Sequence, residues 1–144
     1  MKRDHPVLVF AAFIAVLVAS LHIAASAFYW YWTMPWLDIP FHFLGGIFTS
    51  LLVFWFLRIK HVPRFLSNKQ SGSGFFFLVI GVTMLISAGW EALENLAGVV
   101  NETDYIFDTS IDLAMDLLGA LSAYYFAFSR FKDTILANVL GAEK

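Results

Sequence analysis

Four long apolar runs, separated by short stretches rich in polar residues, set the plan of this chain. Crossing a hydrocarbon core of about 30 Å takes roughly 20 residues as helix. Four segments have that length: Pro6 to Ala27, Phe41 to Ile59, Phe75 to Leu96 and Thr109 to Phe128. None of them shows the strict alternation of a membrane barrel, so helices are the way left to satisfy the backbone in lipid. The pattern predicts an all-α integral membrane protein, a four-helix transmembrane bundle forming a single domain over residues 1–144.

Polar and small residues interrupt the runs at helical spacing. At 100° per residue, Asp38, His42, Gly45 and Thr49 share a face of the second helix if it begins near Asp38. Ser87, Glu91, Glu94 and Gly98 line the third, and Asp108, Asp112, Asp116, Gly119 and Ala123 the fourth. Ala11, Ala15, Ala19, His22 and Ser26 align on the first. Small residues let membrane helices approach closely, and ionisable residues within spans turn toward the bundle interior or a wet cavity. The four stripes are therefore expected to meet, at the depth where the second and fourth helices begin and the third ends. The expected shape is an acidic funnel with Asp116 as its floor.

Composition agrees with this plan, with 60% hydrophobic residues, 18% aromatic, 14% charged and a mean hydropathy of +0.73. The absence of cysteine excludes disulfides, thiolate metal sites and cysteine nucleophiles. The net charge of -2 conceals a segregation by sign. Lys2 and Arg3 precede the first span, Arg58, Lys60, Arg64 and Lys69 lie around the second loop, and Arg130, Lys132 and Lys144 follow the fourth. By the positive-inside rule both termini are cytoplasmic and the first and third loops face outward, as in a multi-pass protein of the cytoplasmic (inner) membrane. The first loop, Phe28 to Trp36, is dense in tryptophan and tyrosine and suits an interfacial aromatic belt. The first span also has the basic start and small-residue end of a signal peptide; its length favours retention as a membrane helix. Ser71-Gly72-Ser73-Gly74 reads as a short linker.

No lysine or arginine lies between Arg3 and Arg58 or between Lys69 and Arg130, yet those stretches hold most of the carboxylates. A buried ionised carboxylate costs several kcal/mol unless a proton, a metal ion or a cationic ligand compensates it. Helix amino ends account for Asp108 and in part for Asp38, where the macrodipole and capping favour negative charge. That account fails for Glu91 and Glu94 near a helix carboxyl end, and for Asp112 and Asp116 beyond the capping turn. Asp38, His42, Glu91, Glu94, Asp112 and Asp116 are thus candidate metal ligands, and carboxylates with one imidazole suit a divalent ion such as zinc, manganese, iron, magnesium or calcium. Trp36, Trp90, Asp108 and His22 are candidates for contacting a substrate at the rim. A carboxylate-lined proton or cation path and a lipid or envelope-precursor binding module are the competing readings. Membrane lipids and a lipid-linked or envelope substrate are the expected partners, and nothing suggests nucleic acid. No serine–histidine–aspartate motif or phosphate-cradling glycine loop is present, so no catalytic residue is assigned.

The series Asp38-x-x-x-His42-x-x-Gly45, Glu91-x-x-Glu94 and Asp108-x-x-x-Asp112-x-x-x-Asp116-x-x-Gly119-Ala120 resembles the VanZ-like membrane proteins, and more closely the YjdF-like group of small bacterial inner-membrane proteins. The resemblance covers roughly residues 36 to 125. VanZ-like proteins carry a lysine after the first aspartate, a glutamine after the glutamate and an arginine before the last aspartate. Here Ile39, Glu94 and no arginine take those places. The resemblance implies a bacterial or archaeal envelope protein with Asp38, His42, Glu91, Glu94, Asp112 and Asp116 as signature positions.

Overall fold

The computed structural model describes residues 5–58, 73–98 and 105–141. Its elements are α1 (His5–Ala27), a one-turn helix α2 (Trp30–Thr33), a 3₁₀ turn (Pro35–Leu37), α3 (Asp38–Arg58), α4 (Ser73–Leu96) and α5 (Tyr105–Gly141). The described residues form no strand. Four of the helices are long and apolar enough to cross a membrane: Pro6–Ala27, Pro35–Leu57, Ser73–Leu96 and Tyr105–Arg130. Large apolar side chains such as Phe13, Ile23, Phe77, Leu85, Leu93 and Phe107 point outward, as expected where the surrounding solvent is hydrocarbon.

Helix α3 is the central element, packed most extensively on α5 and also against α1 and α4, while α4 closes against α5. Two glycines explain the intimacy of α3 and α5. A Cβ at Gly46 would strike the backbone carbonyl of Asp116, and one at Gly119 would strike that of Phe43. Only hydrogen fits at either position, so the two backbones meet there as small-residue interfaces in membranes allow. Ser50 Oγ donates to the Ala120 carbonyl at 3.2 Å and pins the same crossing one turn further along.

Below the crossing the core is apolar and aromatic. Phe54 is fully buried, with ring centroids 5.4 Å from Phe75 and 6.0 Å from Tyr124. Leu51, Val79, Ala120, Ala123 and Ala127 fill the space around them, and Val7 and Ala11 bring in α1. Thr83 is also completely buried, its hydroxyl returned to the Val79 carbonyl at 2.8 Å within its own helix.

Several expectations change. Helix α3 begins at Asp38, as the shared face of Asp38 and His42 requires and three residues before the expected span start at Phe41. Ser73 and Gly74 are the start of α4 rather than linker, since a helix N-terminus tolerates both; residues 71 and 72 lie outside the described residues. Helix α5 runs 37 residues, past the expected end at Phe128, because hydropathy marks where lipid ends and nothing in the polar segment that follows breaks a helix before Gly141. The aromatic loop is itself folded into α2, entered through Tyr29 at φ 59° and ψ 29°. Amide N–H groups of Trp32 and Thr33 donate to the Tyr29 carbonyl at 3.1 and 3.3 Å, holding that left-handed turn. The basic second loop and the acidic third loop fall outside the described residues.

Candidate functional site

The buried faces of three helices change character where they cross. On α3 the buried positions are His42, Gly46 and Ser50, a four-residue spacing that continues into Phe54. On α4 they are Phe75, Val79, Thr83, Ser87 and Glu91. On α5 they are Asp112, Asp116, Gly119, Ala120 and Ala123. Each face is apolar at one end and ionisable at the other. Helical periodicity brings the ionisable ends to one level, where α3 and α5 begin and α4 ends.

His42 is the hub. Its Nδ1 lies 3.2 Å from Asp116 Oδ2 and 3.7 Å from Glu91 Oε1. Its Nε2 lies 3.6 Å from Asp38 Oδ2 and 3.9 Å from Asp112 Oδ2. Three of these carboxylates are almost sealed, with residue exposures of 4% for Glu91, 3% for Asp112 and 5% for Asp116; the Asp38 side chain remains 44% exposed. Exposure thus falls from Asp108, which is on the surface, through Asp38 to Asp116, the burial gradient of a funnel. Below Asp116 the funnel ends on the packed layer of Ser50, Leu51, Phe54 and Ala120.

Two subsets have ligand atoms close enough to embrace one ion, each within 4.8 Å: Asp38, His42 and Asp112, and His42, Glu91 and Glu94. Among the described residues the ion pairs all centre on His42, and none brings a lysine or arginine to the cluster. Glu91 is held from one side only. Thr109 Oγ1 donates to its Oε2 at 2.9 Å, while Oε1 is buried without a hydrogen-bond partner. A buried carboxylate oxygen in that condition calls for a proton or a cation.

All six residues expected as metal ligands therefore come together. Of the stripe expected on the first helix, only Ala11 is buried and Ala15 is half-buried. Ala19, His22 and Ser26 are exposed, and with Ala11 α1 buries the apolar Val7, Ile14 and Ala25. His22 Nδ1 pairs with the Tyr31 hydroxyl at 2.7 Å, outside the cluster. The rim candidates Trp36 and Trp90 are both more than half exposed, and Asp108 is at the surface in the first turn of α5. Gly98 falls past the end of α4. Thr109 and Gly46 were not singled out from sequence. Thr109 looks like an ordinary helix-start residue, and Gly46 sits 100° away from the stripe drawn through Gly45.

Tyr31, just outside the membrane-spanning segments, senses the site. Partial burial, then the carboxylates of Asp38 and Glu94, push its hydroxyl pKa above the usual 10.0.

The family model described as Predicted membrane protein (DUF2238) matches residues 1–133. The chain belongs to that family. DUF2238 membership establishes a membrane protein and leaves the finer likeness to VanZ-like or YjdF-like proteins as an expectation. No curated protein and no solved structure matches this DUF2238 chain.

Proposed function

We propose that this is a multi-pass protein of the bacterial or archaeal inner membrane that binds a divalent cation in an outward-facing site, where the ion meets a lipid-linked or envelope substrate. The observation that carries the reading is the setting of His42, whose two ring nitrogens face different carboxylates. In the tautomer that donates Nδ1–H to Asp116, Nε2 is the basic nitrogen, 3.6 Å from Asp38 Oδ2 and 3.9 Å from Asp112 Oδ2. A carboxylate behind a histidine is the usual second partner of a metal-bound imidazole, fixing its tautomer and raising its basicity. Asp38, His42 and Asp112 would hold the ion, with Asp116 orienting the ring. Glu91 and Glu94 supply further carboxylate on the Nδ1 side, available as ligands or as a base toward a bound water.

Charge supports the same reading. Five carboxylates and one imidazole in a lipid-embedded bundle need compensation, and one divalent ion cancels two charges at once. The outward orientation rests on the basic residues at the opposite end of the spans. The kinship proposed from the residue series is with the YjdF-like group rather than with VanZ itself, since this chain replaces VanZ's basic positions. A proton- or cation-coupled transporter is the second reading. It draws on the same ring, which links exposed Asp38 to buried Asp116, but the packed layer beneath Asp116 favours a closed binding site.

Metal analysis of the purified protein tests the proposal. Wild type should retain close to one divalent ion per chain, with Asp112→Ala losing it and Glu91→Ala holding it more weakly. Equal, near-zero metal in all three sinks the metal reading. Proton- or cation-driven flux in vesicles that Asp116→Asn abolishes would then carry the transport reading.

A further inference from the structure

At the other end of the bundle a groove of about 440 Å³ runs between α1 and α5, lined by Pro6, Val9, Phe10, Phe13, Phe126 and Arg130. Its wall on α1 repeats at positions i, i+3, i+4 and i+7, a stripe distinct from the Val7, Ala11 and Ile14 stripe that α1 buries against the bundle. Phe10 and Phe126, one from each helix, pack in it with ring centroids 5.4 Å apart. Val9, Phe13 and Phe126 are exposed by 58%, 60% and 48% respectively, so the groove opens to the surroundings of the bundle along its length.

The charge at its mouth selects the occupant. Among the described residues that line the groove Arg130 alone is charged, and it stands just past the apolar run that closes at Phe128, while Pro6 stands at the start of the first apolar run. By hydropathy a guanidinium at that position belongs at headgroup level and the apolar trough at acyl-chain level. In sequence, Lys2 and Arg3 stand shortly before Pro6 and Lys132 shortly after Arg130. A guanidinium pairs with phosphate through two parallel hydrogen bonds, and basic pockets between membrane helices on the positively charged side bind anionic lipid headgroups. The volume is within the range of sites that hold small molecules.

We infer that this groove is a binding site for an anionic phospholipid, with one acyl chain laid along Val9, Phe10, Phe13 and Phe126 and the phosphate held by Arg130. The site is independent of the His42 cluster. Arg130 lies 18 residues beyond Asp112 on the same helix, about 27 Å along the axis.

The test is native mass spectrometry of the full chain released from micelles containing equal amounts of phosphatidylglycerol and phosphatidylcholine. Wild type should retain phosphatidylglycerol with a several-fold preference. Arg130→Gln should remove the preference, and Arg130→Lys should keep part of it as a point charge. Val9→Trp, which fills the trough and leaves the charge, should reduce retention of both lipids. Arg64→Gln, a neutralisation in the second loop, should leave the preference intact. Equal retention of the two lipids by wild type, or a preference that survives Arg130→Gln, overturns the assignment. A loss in Arg64→Gln as large as in Arg130→Gln also overturns it, because the preference would then belong to the basic surface as a whole.

Discussion

Replacing Gly119 by alanine is the sharpest probe of the crossing that builds the site. The new Cβ would collide with the Phe43 carbonyl and lie 3.0 Å from the Ile47 nitrogen, both backbone atoms that no rotamer change can move aside. Helices α3 and α5 must part to admit it. Overpacking of this kind costs about 1–3 kcal/mol, and an obstruction made of backbone belongs at the upper end. Alanine is also the better helix former by about 1 kcal/mol, a gain that every glycine-to-alanine change in a helix shares. Gly81 and Gly89 supply the control, since a Cβ at either meets nothing within 4 Å. Gly81→Ala and Gly89→Ala should leave stability unchanged or raise it by up to about 1 kcal/mol. Gly119→Ala should fall below them by about 3 kcal/mol. Reversible unfolding of the purified protein, titrated with a denaturing detergent, reads the difference, and metal content reads its consequence. As the helices part, His42 moves off Asp112 and Asp116, so, on the metal reading proposed above, Gly119→Ala should lose metal that Gly89→Ala keeps. If Gly119→Ala matches Gly81→Ala and Gly89→Ala in stability, the backbone contact that positions the cluster is refuted.

Other consequences follow from single contacts. Ser50→Ala removes the hydroxyl that donates to the Ala120 carbonyl and should cost about 0.6 kcal/mol in the same titration, the average for hydrogen bonds between membrane helices. Tyr31 should ionise above pH 10.0, and the absorbance change of tyrosinate should move back toward that value in Asp38→Asn and Glu94→Gln. The sign follows from a folded-state pKa raised above the unfolded one: the stabilisation is complete below pH 10.0 and is lost as pH rises through the folded pKa, so stability should fall more steeply above pH 10.0 in wild type than in Tyr31→Phe, and equal slopes would refute the shift.

The candidate site was legible largely because charge in a lipid-facing sequence is conspicuous. Asp38, His42, Glu91, Glu94, Asp112 and Asp116 stand out with no basic residue near them, and helical spacing assigns each to a face. His22 misled for the same reason, since spacing marks a stripe without saying which neighbour covers it. In the fold it turns to Tyr31, and α1 buries an apolar stripe instead. Thr109 gave no signal because its contact with Glu91 spans two helices.

The sequence by itself determined the class of the protein, the number of its spans and the level at which ionisable residues gather, because hydropathy, length and helical period are local quantities. The tertiary structure decided which of those residues touch. Gly46 and Gly119 let two backbones meet, and that close approach sets His42 between Asp116 and Glu91 on one nitrogen and Asp38 and Asp112 on the other. It also decided that α1 stands outside the cluster and shares a groove with α5, a pairing of residues more than a hundred positions apart that no local period encodes.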